Sequence, residues 1–189
     1  MRERILAATA RVVGRWGYDG ASVAKIAARA KIAHGTFYKY FASRQELFDE
    51  LLPAMGDLML DSIRSQVSFQ SKGAGREAER LRAYLNFLAA NPWYHRVLNE
   101  AEVMAPKAHA AYFKKVTASY VSALDRSRRR GEIKAFTSDE LEAVSYILMA
   151  MRLYLAQRYC YSNGKIVPPP EPVIETFSRF VERALFLNE

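Results

Sequence analysis

Apolar residues recur at three- and four-residue intervals through almost the whole chain, and nowhere do they alternate over the length of a strand. Three- and four-residue spacing lines up side chains on one stripe of a helix, whereas a half-buried strand needs a period of two. The chain is therefore expected to be all-α, with turn residues cutting it into about nine helices. Ile5, Leu6, Val12, Val13 and Trp16 mark one face of the first, Thr9 falls on the same stripe, and Gly17-Tyr18-Asp19-Gly20 ends it. Ser22 can cap a short second helix, SVAKIAAR, whose Val23, Ile26 and Ala27 face inward. A tight connection at Ala30–Ile32 leads to a third helix, AHGTFYKY.

Ser43-Arg44-Gln45-Glu46 has the pattern of a capping box and opens a long helix to about residue 66, which Pro53 can kink. The segment SFQSKGAG (68–75) has loop composition. Helices are then expected at 76–90, 92–103 and 106–130, separated by Asn91-Pro92 and Ala105-Pro106. Thr137-Ser138-Asp139-Glu140 signals the start of an apolar helix to about 161. NGKIVPPPEP (163–172) cannot continue it, and an amphipathic helix over 173–187 closes the chain. The expected division is a small domain, 1–45, and a larger one, 46–189.

The charge is distributed unevenly over these segments. Of the 28 Lys and Arg in 189 residues, nine fall in residues 1–44 against two acids, Glu3 and Asp19, a balance of +7. The remaining 145 residues hold nineteen against eighteen, a balance of +1. A local positive field of this kind is the electrostatic footprint of a protein that meets a polyanion. Cys160 has no partner for a disulfide, the first residues lack the apolar core of a signal peptide, and YILMAMRLYLAQRYCY (146–161) is too short to span a bilayer and contains Arg152 and Arg158. These features predict a cytoplasmic protein.

Two short helices joined by a tight turn, the second exposed and basic, describe a helix-turn-helix, in which the second helix enters the major groove of DNA. KIAHGTFYKYF (31–41) has the mixture this requires. Phe37 and Phe41 can pack back on the preceding helices, leaving His34, Thr36, Tyr38 and Lys39 to face a duplex. Gly35 lets the backbone approach phosphate, and the Tyr38 hydroxyl and Lys39 ammonium can bind phosphate oxygens. Phosphate contacts set register, so base reading falls to His34 and Thr36, with Lys39 able to serve either role.

The order WGYDGASVAKIA, AHGTFYKYF and SRQEL over residues 1–52 resembles the DNA-binding domain of the tetracycline-repressor (TetR) family. That resemblance implies phosphate contacts from Ser22 and Arg44, with Lys25 beside them. Two positions depart from the family pattern: Ala30-Lys31 stands where the turn usually reads Ala-Gly, and Ala33 where a serine usually opens the third helix. For the rest of the chain the resemblance implies a helical effector-binding and dimerisation domain, in which the last two helices pair with those of a second copy. Ile147, Met151, Tyr154, Phe177, Phe180 and Val181 are the expected interface residues. The helix over 139–161 supports this independently: it is apolar nearly all round and is expected to be buried on several sides.

Aromatic and methionine residues crowd the middle helices and are core candidates individually. Together, Met59, Tyr84, Phe87, Trp93, Tyr112 and Phe113 could line a largely apolar effector site. Arg152 lies among apolar neighbours, so its charge needs either a buried salt bridge, with Glu100 or Glu102, or an anionic effector. His95 and His109 lack ligands at metal-binding spacing, and no catalytic grouping or phosphate loop stands out, so neither metal nor cofactor nor enzymatic activity is expected. The leading expectation is a homodimeric DNA-binding repressor that leaves a palindromic operator when a small molecule binds. The alternatives are an activator or ligand-blind DNA binder of the same fold, or an enzyme using the apolar pocket.

Overall fold

The helical periodicity is realised as nine α-helices among the described residues of a computed structural model, which cover 1–133, 136–162 and 165–186. In chain order they are α1 (Arg2–Gly20), α2 (Val23–Ala30), α3 (His34–Phe37), α4 (Arg44–Gln66), α5 (Gly73–Ala90), α6 (Tyr94–Met104), α7 (Pro106–Arg129), α8 (Leu141–Tyr159) and α9 (Glu171–Val181). A single π-helical turn, Glu182–Phe186, extends α9. The all-α expectation holds, with one minimal antiparallel pair of two-residue strands beside the helices. Tyr161 pairs with Ile166 and Ser162 with Lys165, while Asn163 and Gly164 lie outside the described residues. The chain divides into two compact units, Met1–Leu58 with Asn91–Lys115, and Met59–Ala90 with Val116–Glu189.

In the first unit α1 packs against α2 and α6. Ile5, Leu6, Val12 and Val13 are buried as their spacing predicts, with Ile26, Phe37, Phe41, Leu47, Phe48, Val97 and Leu98 completing the core. Trp16 does not join them. At 43% exposed, it is a surface platform under the Arg15 guanidinium, 4.6 Å from the ring centroid, and the Lys25 ammonium at 5.2 Å. Its stripe ends one residue before Gly17, whose φ of 74° breaks the helix and turns the chain. That break lets Tyr18 reach α6: its N–H donates to Glu100 Oε2 (2.9 Å) and its hydroxyl to the Val97 carbonyl (3.2 Å). Arg96 completes the clamp, donating to the Arg15 carbonyl (3.1 Å) and to Glu100 (2.6 Å). The capping box at α4 forms as read, with Ser43 Oγ accepting from Glu46 N–H (3.0 Å) and Glu46 accepting from Ala42 N–H (2.6 Å).

In the second unit α5 packs against α9 and the π-helical turn. The helix starts at Gly73, inside the segment read as loop. Burial on α8 is confined to one side, Leu141, Val144, Ser145, Leu148, Arg152 and Ala156, so the expectation of burial on several sides is corrected for the single chain. Tyr146, Ile147 and Tyr154 are exposed on the opposite side, Tyr154 by 70%. Phe180 is also exposed, whereas Phe177 and Val181 lie in this unit's own core. Ile174, Phe177 and Val181, at i, i+3 and i+7, share the stripe of α9 that packs on α5, and Phe180 falls off it.

The α1–α6 contact yields two predictions. A Cβ on Gly14 would stand 2.2 Å from Trp93 Cβ and 2.7 Å from its Cα, so Gly14→Ala forces two helices apart. Chemical denaturation should show a loss of roughly 1–3 kcal/mol, the usual scale of overpacking. Burial pushes the Glu100 carboxyl up, but hydrogen bonds from Arg96 and the Tyr18 N–H, with the Arg96 charge, outweigh it and hold the pKa below the ordinary 4.5. A depressed carboxylate stabilises the fold above its unfolded pKa and ceases to do so as pH falls through the folded value. Glu100→Gln should therefore flatten the decline of melting temperature below about pH 4.5.

Candidate nucleic-acid interface

The short helices α2 and α3 are shaped by their ends. Ser22 caps α2, its Oγ accepting from the Lys25 N–H at 3.3 Å. At the other end Lys31 adopts the left-handed conformation (φ 52°, ψ 51°), the one non-glycine with positive φ among the described residues. Its N–H closes the helix on the Ala27 and Ala28 carbonyls. This is the turn position that glycine would occupy without strain. Ala33 then precedes α3 in extended conformation and offers no side-chain cap.

The α-helical part of α3 is one turn, shorter than the AHGTFYKY expected. Turns continue it, with Tyr40 and Phe41 N–H groups both donating to the Phe37 carbonyl, at 3.0 and 3.1 Å. Phe37 and Phe41 are fully buried, their rings 5.8 Å apart. The opposite face carries the predicted contact residues. His34, Gly35, Tyr38 and Lys39 are exposed and Thr36 is half-buried. The His34 and Tyr38 rings meet edge to face at 5.5 Å, which fixes the two side chains relative to each other. A Cβ on Gly35 would meet nothing within 4 Å, so the fold itself does not require glycine there.

The three flanking residues are each tied to the rest of the first unit. Ser22 Oγ, engaged as an acceptor, keeps its hydroxyl proton for another partner. Lys25 Nζ donates to the Gly20 carbonyl at 2.9 Å. Arg44 reaches the Asp19 carbonyl at 3.5 Å and lies 5.4 Å from the Phe48 ring centroid. Both cations are thus held at the 17–20 turn while remaining exposed. One positioning residue escapes the sequence reading. Arg2 bridges Glu50 (2.9 Å through Nε) and the Tyr40 carbonyl, with its guanidinium 4.2 Å from the Phe41 centroid. It therefore fastens the end of the α3 region to α1 and α4. These partners lie 48 and 38 residues from Arg2, and no local spacing signals the link.

The expected effector residues divide between the units. Trp93, Tyr112 and Phe113 belong to the first, where Tyr94 donates to the Tyr112 hydroxyl at 2.8 Å and Phe113 meets the Tyr112 ring at 5.2 Å. Met59, Tyr84, Phe87 and Arg152 belong to the second. Arg152 is buried as expected, but its ion-pair partner is Glu77, not Glu100 or Glu102. Glu100 is taken by Arg96 and Tyr18, and Glu102 is exposed. Glu77 lies 75 residues from Arg152 and becomes its neighbour only through the packing of the second unit. Among the described residues no group of three or more His, Cys, Asp or Glu could hold a metal ion, and no helix is long and apolar enough to cross a membrane.

Residues 5–51 match the family of bacterial regulatory proteins called the tetR family. The nucleoid occlusion factor SlmA of Haemophilus influenzae is 24% identical over 137 residues, 70% of this chain; the chain spans 62% of that relative's length. The crystal structure of a bacterial regulatory protein in the tetR family from Rhodococcus RHA1 superposes with a TM-score of 0.70 at 18% identity, covering 100% of this chain and 98% of the other. That of the fatty acid degradation regulator FadR from Bacillus halodurans gives 0.72 at 18% identity, covering 95% and 93%.

The open space at Gly35 makes its role testable. Gly35→Ala should leave the melting temperature unchanged or raised, since alanine favours helix by up to about 1 kcal/mol. If the backbone there lies against phosphate, the same change should weaken duplex binding by about tenfold, or roughly 1.4 kcal/mol, in fluorescence anisotropy.

Proposed function

We propose that this chain, whose residues 5–51 are the N-terminal domain of the tetR family and whose fold is that of its transcription regulators, is a ligand-responsive repressor acting on DNA in the cytoplasm. The observation that carries the reading is the two-sided α3 region: Phe37 and Phe41 buried on one side, His34, Tyr38 and Lys39 exposed on the other. A short segment so anchored presents its polar face rigidly enough for a groove. The dense positive charge of residues 1–44 supplies the sequence-independent attraction. In this reading Tyr38, Lys39, Ser22, Lys25 and Arg44 bind phosphates, and His34 and Thr36 read bases. The functional division is 1–45 for DNA and 46–189 for effector and partner.

A palindromic operator needs two recognition helices roughly 34–36 Å apart, and hence a two-fold dimer. The exposed apolar stripe of α8, Ile147 and Tyr154 with half-buried Met151, together with Phe180 of α9, supports a pairing surface there. Phe177 and Val181 would act beneath it, holding α9 in place. The apolar residues of the second unit, Met59 and Phe87 among them, support an effector with a largely apolar body, and FadR, of the same fold, is a fatty acid degradation regulator. α4 contributes Arg44–Leu58 to the first unit and Met59–Gln66 to the second, which makes it the natural transmitter. The effector must favour the DNA-released conformation, typically by 1–3 kcal/mol, or about 5–150-fold.

Selection of binding sites from a random duplex library tests the reading directly. Inverted half-sites should emerge, and binding should weaken steeply with salt. Tyr38→Phe should lower affinity for all sequences alike, whereas His34→Ala should change which bases are preferred. Indistinguishable effects of the two would refute the division between phosphate and base contacts. Tyr154→Glu should yield a folded monomer in sedimentation and lose operator binding.

A further inference from the structure

A cluster of buried charge lies in the second unit, on α5, α7 and α8. Glu77 is 1% exposed and Arg152 8%. Arg152 Nη2 donates to Glu77 Oε2 at 2.5 Å and to the Tyr120 hydroxyl, which itself donates to Glu77 Oε2 at 2.5 Å. The guanidinium lies 4.6 Å from the Tyr120 ring centroid. Arg80, one turn along α5, holds the other oxygen of Glu77.

Two features leave this cluster incomplete. Two guanidiniums share one carboxylate, an excess of one positive charge where desolvation makes uncompensated charge unfavourable. In addition, Arg152 Nε and Thr117 Oγ1, the latter one turn from Tyr120 on α7, are buried polar atoms with no hydrogen-bond partner among the described residues. Buried donors of this kind are normally satisfied, so the cluster is short of an acceptor and of a negative charge together. Buried aliphatic residues stand one helical turn from its members: Leu81 from Glu77, Val116 and Leu124 from Tyr120, and Leu148 from Arg152.

Resting on the effector reading above, we propose that Arg152 is an anion-exchange centre: the effector is a monoanionic carboxylate on an aliphatic body, and Glu77 holds its place until it binds. The incoming carboxylate takes the Nε and Nη2 edge of Arg152 as a two-point fork, the geometry guanidinium offers a carboxylate. Glu77 remains paired with Arg80, so neither acid is stranded and the cluster's net charge falls from +1 to zero. The exchange cuts the Glu77–Arg152 tie between α5 and α8, and this is the change the ligand drives.

Octanoate and octanamide share a body and differ in charge, so they serve as probes at neutral pH. The wild-type melting temperature should rise with octanoate at millimolar concentration and not with octanamide. Glu77→Gln removes the internal competitor and should tighten octanoate about tenfold, a gain of roughly 1.4 kcal/mol. If that variant does not fold, the Glu77→Gln/Arg152→Met double variant, in which the pair is neutralised, should fold and treat both probes alike. A wild type that responds equally to both probes or to neither overturns the proposal, as does a double variant that still prefers octanoate. Duplex binding is measured separately without probe: its failure counts against the regulator reading and leaves the anion result standing.

Discussion

The exposed face of the α3 region depends on the burial of Phe37 and Phe41. A helix of four residues cannot hold itself together in water, because nucleation fixes several dihedrals for a single hydrogen bond. Burying two phenylalanines contributes roughly 1.5–3 kcal/mol each and supplies what the backbone alone cannot. Arg2 adds a second fastening from the other end of the chain's first unit, through Glu50, Tyr40 and the Phe41 ring. The exposed face is therefore free to be chosen for contact, since none of its side chains is needed to keep the turn folded.

The same unit contains α6, joined to α1 at the point where Gly17 breaks the first helix. Glu100 is the centre of that joint, accepting from a backbone N–H and from a guanidinium. Any displacement of α6 must stretch these charge-assisted bonds or carry the end of α1 with it. The helix that precedes α2 and α3 is thus mechanically tied to a segment 82 residues downstream of Tyr18.

The parts legible in the sequence were those governed by neighbours along the chain. Apolar period, the Ser22 and Ser43 caps, the proline starts and the buried pair Phe37 and Phe41 all follow from residues within a turn or two of each other. What could not be read depends on packing between distant segments. Trp16 has the right spacing for the core but lies where the stripe runs out beside Gly17. Phe177 and Val181 share an apolar face with Ile174, and only the course of α5 beside α9 turns that face inward. Arg152 was recognisable as a buried charge in want of a partner, yet its partner lies on a helix that no periodicity places beside it. The Asn163-Gly164 junction reads as a helix stop, while the pairing that flanks it, Tyr161 with Ile166, involves too few residues to leave an alternating pattern.

Lys31 carries a consequence for how this domain can change. A left-handed backbone disfavours a residue with a Cβ by about 1–2 kcal/mol relative to the right-handed form. Here that strain sits in the hinge between α2 and α3, where it is opposed by the Ala27 and Ala28 carbonyls. The hinge is thus held slightly against its own preference, and the domain is less stable than its core alone would make it. Residue 31 is a point at which rigidity of the exposed α3 face can be tuned by one substitution, with every buried contact left as it is.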